Sequence, residues 1–219
     1  FITGGTGFVG SALSQTLAGR SDQLTVLTRN AGSAQQRVGV PINAVESLAD
    51  ANLPSMDAVV NLAGLPIADR RWSEKRKRAL YASRVDLTKQ LVDTLAEQKK
   101  PPKVLVSASA VGFYGDGGDS LLDEQSRPHP DFSHDLCAAW EAAALRAEKL
   151  GMRVCIIRIG LVMGPGGGML RRMLPAFKLG MGGRMGSGQQ WMSWVSLQDL
   201  VQMIVYLMDH ATLQGIFNG

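Results

Sequence analysis

The 219-residue sequence has few cysteines and no long hydrophobic run, and each shortage excludes a class of protein. Its two cysteines, Cys137 and Cys155, do not make a disulfide framework, and their spacing from the three histidines matches no zinc motif. No apolar run approaches the roughly 20 residues of a membrane-spanning helix, and the first residues lack the pattern of a secretory leader. We therefore expect a cytoplasmic protein with no metal site and no membrane partner.

A glycine repeat stands at the start of the chain, between an apolar strand and an apolar helix: Phe1-Ile-Thr-Gly-Gly-Thr-Gly-Phe-Val-Gly10. Glycine at every third position allows a tight turn, close approach of backbone to a pyrophosphate, and close packing of helix on strand. The helix N-terminus that follows favours an anion. The pattern predicts dinucleotide binding in preference to a ligand-free glycine turn. The expected pyrophosphate contacts are Gly4, Thr6, Gly7, Phe8 and Val9.

Strand-like apolar runs alternate with helical segments through the rest of the chain. Strands are predicted near residues 24–28, 42–45, 57–64, 103–108 and 153–158, and helices near 7–18, 73–98 and 133–150. Ser196 and Asp199 form a capping box for a last helix. This alternation predicts an α/β fold, a Rossmann-type doubly wound parallel sheet.

The sequence becomes glycine-rich from Gly164 onward, and this change in composition indicates that a different part of the protein begins there. We expect a dinucleotide-binding domain at residues 1–163 and a substrate-side segment at 164–219, the start of a small C-terminal domain. The short first strand and the strand-like residues 215–219 also suggest a fragment of a longer protein.

The residues after the second predicted strand select the cofactor. A dinucleotide-binding motif usually places an acid there for the ribose 2′-hydroxyl, but this chain has Thr28-Arg29-Asn30. A guanidinium pairs with a 2′-phosphate, which an acid would repel. We predict NADP(H) rather than NAD(H), held by Thr28 and Arg29. Ala63 and Gly64, which end a later strand, are expected to line the adenosine or ribose region.

Positive charge is concentrated in residues 69–78, although the net charge of the chain is only +4. One short basic cluster with a single aromatic is more typical of a solvated helix face than of a nucleic-acid surface. We expect no nucleic-acid partner. Because this helix follows the strand ending at Gly64, we suggest instead that Arg71 or Arg84 faces the cofactor or an anionic substrate.

Several motifs together resemble the extended short-chain dehydrogenase/reductase family, and more narrowly its atypical YfcH-like epimerase branch. The broader match comprises residues 3–10, Asn61-Leu-Ala-Gly64, Ser107-Ala-Ser109 with Tyr114-Gly115, and residues 158–165. The narrower match comprises Arg71-Trp72, Ser83-Arg84-Val85, Trp140-Glu141 and residues 186–194. The resemblance covers essentially the whole chain. It implies a nucleotide-binding epimerase or oxidoreductase with Ser107 on the cofactor side.

The catalytic pattern of that family is largely altered here. The family uses a tyrosine, a lysine four residues later, a serine and often an asparagine. The sequence contains no Tyr-x-x-x-Lys. By resemblance, Cys137 stands in the lysine place, Ser133 or Phe132 in the tyrosine place, and Arg84 in the asparagine place. Ser109 matches the serine, and we expect it to face the nicotinamide or hydrogen-bond a substrate.

Four other side chains are alternatives as the proton donor: Cys137, His134, Tyr114 and Glu141. Each also has an ordinary structural explanation, since a lone helical cysteine is usually a small buried hydrophobe and a single histidine near a helix start is usually solvated. The substrate is expected to be a polar small molecule, and the family resemblance implies one of nucleotide-sugar type. Its expected wall is Gln189, Trp191 and Trp194. The alternative function is a non-catalytic NADPH-binding sensor or scaffold.

Overall fold

A parallel sheet forms the centre of the computed structural model, which describes residues 1–184 and 186–219. The strands are β1 Ile2–Thr3, β2 Thr25–Leu27, β3 Asn43–Val45, β4 Ala58–Asn61, β5 Val104–Ala110, β6 Arg153–Ile159, β7 Leu161–Met163, β8 Trp194–Ser196 and β9 Gly215–Asn218. Seven of them pair in the order β3-β2-β1-β4-β5-β6-β9, and every pair is parallel. The short strands β7 and β8 form a separate parallel pair. The predicted fold class is confirmed.

Helices cover both faces of the sheet. They are α1 Phe8–Gly19, α2 Ala34–Val38, α3 Glu74–Tyr81, α4 Leu87–Ala96, α5 Phe132–Leu145, α6 Gly168–Lys178 and α7 Leu197–Asp209. On one face, Leu13 of α1 and Ile204 of α7 lie in the same core cluster. On the other face, Leu91 of α4 and Ala144 of α5 pack on the sheet. Because both faces are covered, the central strands are near-continuous apolar runs, as their sequences predict.

The observed elements differ from the predicted ones in several places, and the short elements α2, β7 and β8 were not predicted. The helix predicted at residues 73–98 is divided by a π turn, Ala82–Asp86, which joins α3 to α4. Helix α6 was not predicted, because it lies between glycine-rich stretches and contains Pro175. Ser196 does cap α7, accepting a hydrogen bond from the Asp199 N–H at 3.0 Å, as the capping box predicts.

Helix α7 packs on the central sheet, and strand β9 pairs with β6 within it. Both fall within the segment predicted to lie on the substrate side. The division at residue 163 stays a prediction. Among the described residues, no helix is long and apolar enough to cross a membrane. The same part of the chain contains no group of three or more His, Cys, Asp or Glu side chains placed to hold a metal ion.

Candidate functional site

The glycine loop lies at the carboxyl end of β1 and packs directly on the backbone that follows β4. Gly4 has φ of +71°, and a Cβ added to it would lie 2.8 Å from the Ala63 nitrogen. A Cβ added to Gly10 would lie 2.2 Å from the Gly4 carbonyl oxygen. The Gly7 N–H donates to that same oxygen at 2.9 Å. Neither Gly4 nor Gly10 has room for a side chain, so the loop and the start of α1 are held tightly together.

The N-terminus of α1 presents its backbone N–H groups next to this loop. The N-cap is Gly7, which has no side chain to cap them, and the first turn contains no acid. The N–H groups of the first helical turn have no acceptor within the helix. The Phe8 ring packs on the glycine loop before α6, since a Cβ at Gly167 would lie 2.2 Å from its Cδ2. Phe8 can therefore contribute its N–H to a ligand, while its ring serves packing. This arrangement fits a pyrophosphate.

At the end of β2, Thr28 is held in place and Arg29 is free. The Thr28 N–H donates to the Val45 carbonyl oxygen at 2.9 Å, and Asn30 caps the next turn by accepting from the Ser33 N–H at 3.1 Å. Arg29 is exposed, and within residues 1–184 and 186–219 it makes no ion pair. Its guanidinium is available for a phosphate.

A buried network of polar side chains lies beneath the glycine loop and includes Ser107. Asn61 accepts from the Thr3 hydroxyl at 2.6 Å and donates through Nδ2 to Thr88 at 2.8 Å and Ser107 at 3.1 Å. Trp140 Nε1 also donates to Thr88, at 3.0 Å. Because the Ser107 side chain is only 1% exposed, its hydroxyl belongs to this network and supports the loop from below.

Ser109, the serine that matches the family pattern, lies in a second buried cluster around Glu141 and Arg158. Its hydroxyl donates to Glu141 Oε1 at 2.6 Å. Arg158 pairs with the same carboxylate through Nε and Nη2, both at 2.9 Å. Although burial disfavours a charged guanidinium, hydrogen bonds to Glu141 and Tyr114 raise the pKa of Arg158. The Ser109 O–H donates to Glu141, so its oxygen can accept a hydrogen bond from a ligand hydroxyl, whereas donation to a ligand carbonyl would require breaking the bond to Glu141.

The other candidate proton donors are also engaged. The Tyr114 hydroxyl donates to Asn218 Oδ1 at 2.6 Å and accepts from Arg158 Nη1 at 3.1 Å. His134 Nδ1 donates to the Phe113 carbonyl oxygen at 2.7 Å. Burial raises the pKa of the Cys137 thiol to about 11, so the thiol stays protonated near neutral pH. None of these three side chains is arranged as a proton relay.

Arg84 lies against the loop that follows β4. A Cβ added to Gly64 would lie 2.9 Å from Arg84 Cζ, and Nη2 donates to the Leu65 carbonyl oxygen at 2.9 Å. The guanidinium also lies 5.4 Å from the centroid of the Trp140 ring. Burial lowers the pKa of Arg84. Arg71, the other arginine suggested for this side, is exposed.

Residues 1–218 match the model of the NAD dependent epimerase/dehydratase family. This chain belongs to that family. It is 41% identical to an Arabidopsis thaliana protein, the chloroplastic SDR39U1 homolog of the epimerase family, across 100% of this chain and 64% of that protein. It is 39% identical to an epimerase family protein of Mycobacterium bovis, across 99% of this chain and 71% of that one.

Solved structures of two further proteins are similar to this epimerase-family chain. Human SDR39U1, isoform 2, was crystallised with NADPH; it has a TM-score of 0.89 and 35% identity across 100% of this chain and 72% of its own. A nucleoside-diphosphate sugar epimerase from Corynebacterium glutamicum has a TM-score of 0.80 and 35% identity, across 99% of this chain and 45% of its own.

The expected substrate residues of this family member lie in an exposed segment. Trp191 is 77% exposed and Trp194 is 64% exposed. Trp191 Nε1 donates to Asp119 Oδ1 at 2.7 Å, which joins the segment to the loop after β5, and the Gln189 N–H donates to the Ser187 hydroxyl at 3.3 Å. The structure therefore places these residues at the surface, and their role in substrate binding stays a prediction.

Sequence reasoning missed the importance of Arg158 and of Glu141 as its partner. Both residues were noted within motifs, but neither was expected to hold Ser109 and Tyr114. One signal was available, because an arginine inside the apolar strand Arg153–Ile159 must be paired if it is buried.

Proposed function

We propose that this chain is an NADP(H)-binding member of the epimerase family that acts on a polar substrate of nucleotide-linked or sugar type. The observation that carries the cofactor assignment is Arg29 directly after β2, exposed and without an ion pair among the residues that the structure describes, where NAD(H)-specific sites usually have an acid. The NADPH bound to human SDR39U1, which is 35% identical, supports the same choice.

The glycine loop and the ends of β2 and β4 would each bind a different part of the cofactor. In this proposal, the N–H groups of the first turn of α1 hold the pyrophosphate beside Gly4, Thr6, Gly7, Phe8 and Val9. Thr28 and Arg29 hold the 2′-phosphate end, and Ala63 and Gly64 line the ribose region. NADP(H) supplies hydride transfer when bound. Ser109 would accept a hydrogen bond from a substrate hydroxyl, because its own O–H already donates a hydrogen bond to Glu141.

Replacement of Arg29 tests this cofactor assignment. Arg29→Ala should weaken NADPH binding about 10-fold or more, since a hydrogen-bonded charge pair contributes roughly 1.5–3 kcal/mol, and should change NADH binding little. Isothermal titration calorimetry of both cofactors measures the difference. Arg37→Ala, which removes another exposed arginine, is the matched control. Equal losses for the two cofactors would contradict the assignment.

A non-catalytic NADPH-binding module is the second candidate, and the engaged side chains beyond β5 favour it. Tyr114 and His134 are hydrogen-bonded elsewhere, and the Cys137 thiol has a pKa raised by burial to about 11. The full-length protein, incubated with C4-deuterated NADPH and a metabolite extract, separates the two functions. Deuterium in a metabolite, absent from a heat-inactivated control, establishes catalysis. Retention of the label by bound NADPH favours the sensor.

A further inference from the structure

Two arginine side chains donate hydrogen bonds to the loop that follows β4. Arg76 of α3 donates through Nη2 to the Pro66 carbonyl oxygen, and Arg84 donates through Nη2 to the Leu65 carbonyl oxygen at 2.9 Å. Because Leu65 and Pro66 are consecutive, the two positive groups bind neighbouring carbonyls of one loop. Both side chains are half-buried.

Neither arginine has an acidic partner among the residues that the structure describes. Arg76 Nε is buried and makes no hydrogen bond in this part of the chain. Arg84 uses two of the five donors of a guanidinium, on Leu65 and on Ser83 Oγ. By contrast, Arg172, which also reaches this loop, pairs with Asp69.

Two half-buried positive charges close to one loop should favour the binding of an anion. Burial lowers the pKa of Arg84; the nearby Cys137 opposes this shift, and the like charge of Arg76 adds to it. Two half-buried cations without a counter-ion repel each other and lose part of their hydration. An anion between them would remove both costs, and two guanidinium forks suit the paired oxygens of a carboxylate or phosphate.

The π turn independently singles out this place in the fold. It interrupts the helix at Ala82–Asp86 and contains Arg84. Ser83 fastens the turn to the loop, since its hydroxyl accepts from the Leu65 N–H at 3.1 Å and donates to the Leu80 carbonyl oxygen at 2.9 Å. Single π turns inside α-helices occur frequently at functional sites.

We propose that Arg76 and Arg84 bind an oxyanion of the substrate, a carboxylate or phosphate group, beside Gly64. The assignment to the substrate rests on the proposed function, in which the glycine loop and Arg29 already hold the phosphates of the cofactor. An anion at Arg76 and Arg84 is therefore an additional one. The substrate class is narrowed to molecules that carry a negative group.

Nuclear magnetic resonance of the arginine Nε–H groups tests the proposal without requiring turnover. Inorganic phosphate and malonate are titrated into the protein, free and saturated with NADPH, at ionic strength held constant with chloride. At least one probe should shift the Arg76 and Arg84 signals saturably in the NADPH-saturated protein. Arg84→Gln and Arg76→Gln should each weaken that binding about 10-fold. Arg78→Gln, which removes an exposed charge from the same helix, should not.

Cofactor binding by the variants identifies the source of the anion. The NADPH affinity of Arg84→Gln should stay within about twofold of the wild-type value. Arg84→Lys, which keeps the positive charge, is the control for a folding defect. A tenfold loss of NADPH affinity in Arg84→Gln, or competition between the probes and NADPH, would overturn the proposal by showing that the cofactor supplies the anion. Absence of a saturable shift would also overturn it while leaving NADPH binding intact. If the wild-type protein does not bind NADPH, the proposed function fails; the titration of the free protein still shows whether the arginine pair binds an oxyanion.

Discussion

At the scale of single residues, the Glu141–Arg158 pair is the most consequential interaction of the site. Glu141 is 5% exposed and Arg158 is 2% exposed, and their carboxylate and guanidinium are joined by two hydrogen bonds. The Arg158 guanidinium also lies 3.4 Å from the centroid of the Phe113 ring. A buried pair of this kind holds neighbouring groups in one arrangement, but removal of one partner leaves an uncompensated charge.

Replacement of one partner should therefore cost more than replacement of both. Glu141→Leu alone is expected to lower the free energy of unfolding by about 3–5 kcal/mol, because Arg158 is left buried without its carboxylate. The double variant Glu141→Leu/Arg158→Met should lose less than the sum of the two single variants. Urea unfolding of all four proteins measures the coupling, and additive losses would show that the pair is not coupled.

The sequence marks candidate site residues where the signal is local, and it gives no signal for side-chain pairs that depend on tertiary contact. The glycines and Arg29 were found because their positions relative to one strand and one helix indicate a role. The bond between Ser109 and Glu141 spans 32 residues and joins a strand to a helix, so no spacing rule describes it. For the same reason the family resemblance indicated Ser109 as a candidate but gave no sign that its hydroxyl donates a hydrogen bond to Glu141.

At the scale of secondary-structure elements, α1 packs directly against the glycine loop that we propose as the pyrophosphate site. Gly10→Ala would place a methyl group against the Gly4 carbonyl, so we expect a loss of roughly 1–3 kcal/mol in stability together with much weaker NADPH binding. Gly19→Ala is the control on the same helix, because nothing lies within 4 Å of its added Cβ.

The control should move stability in the opposite direction, by about 0.5–1 kcal/mol, since alanine favours the helix more than glycine does. Thermal unfolding and calorimetric titration with NADPH measure both effects. Unchanged cofactor binding by Gly10→Ala would contradict the close approach of loop and helix described above.

Two of the features that sequence reasoning missed, the π turn and helix α6, have physical explanations. The pattern around residues 73–98 is helical on both sides of Ala82–Asp86, and a π turn adds one residue to a turn without a distinctive composition. Helix α6 has apolar residues at helical spacing, Met169, Met173 and Phe177, but it contains Pro175 and lies between glycine-rich stretches, both of which argue against a helix.

At the scale of the whole molecule, burial is unevenly distributed. The sheet and the helices α1, α4, α5 and α7 contain the core, whereas residues 171–184 and 186–194 are mostly exposed and include Phe177, Leu179, Met181, Trp191 and Trp194. Segments with few buried contacts open locally at little free-energy cost.

Limited proteolysis should report this difference. Trypsin under native conditions is expected to cut first after Arg171, Arg172, Lys178 or Arg184, because α6 and the segment after it can open without unfolding the core. Mass spectrometry of the early fragments identifies the sites. Arg146 and Lys149, which are also exposed but lie in the turn that directly follows the packed helix α5, are the internal comparison. Early cuts there, with residues 171–184 intact, would contradict the expectation.

The position of Asn218 also implies an order of events during biosynthesis. Its side chain accepts from Tyr114, and its N–H donates to Glu124 Oε1 at 2.7 Å. The ribosome makes Asn218 after Ser109, Tyr114, Glu141 and Arg158. The Tyr114–Arg158 region therefore cannot close until Asn218 has been made, after every residue of the glycine loop and of the Asn61–Thr88–Ser107 network beneath it.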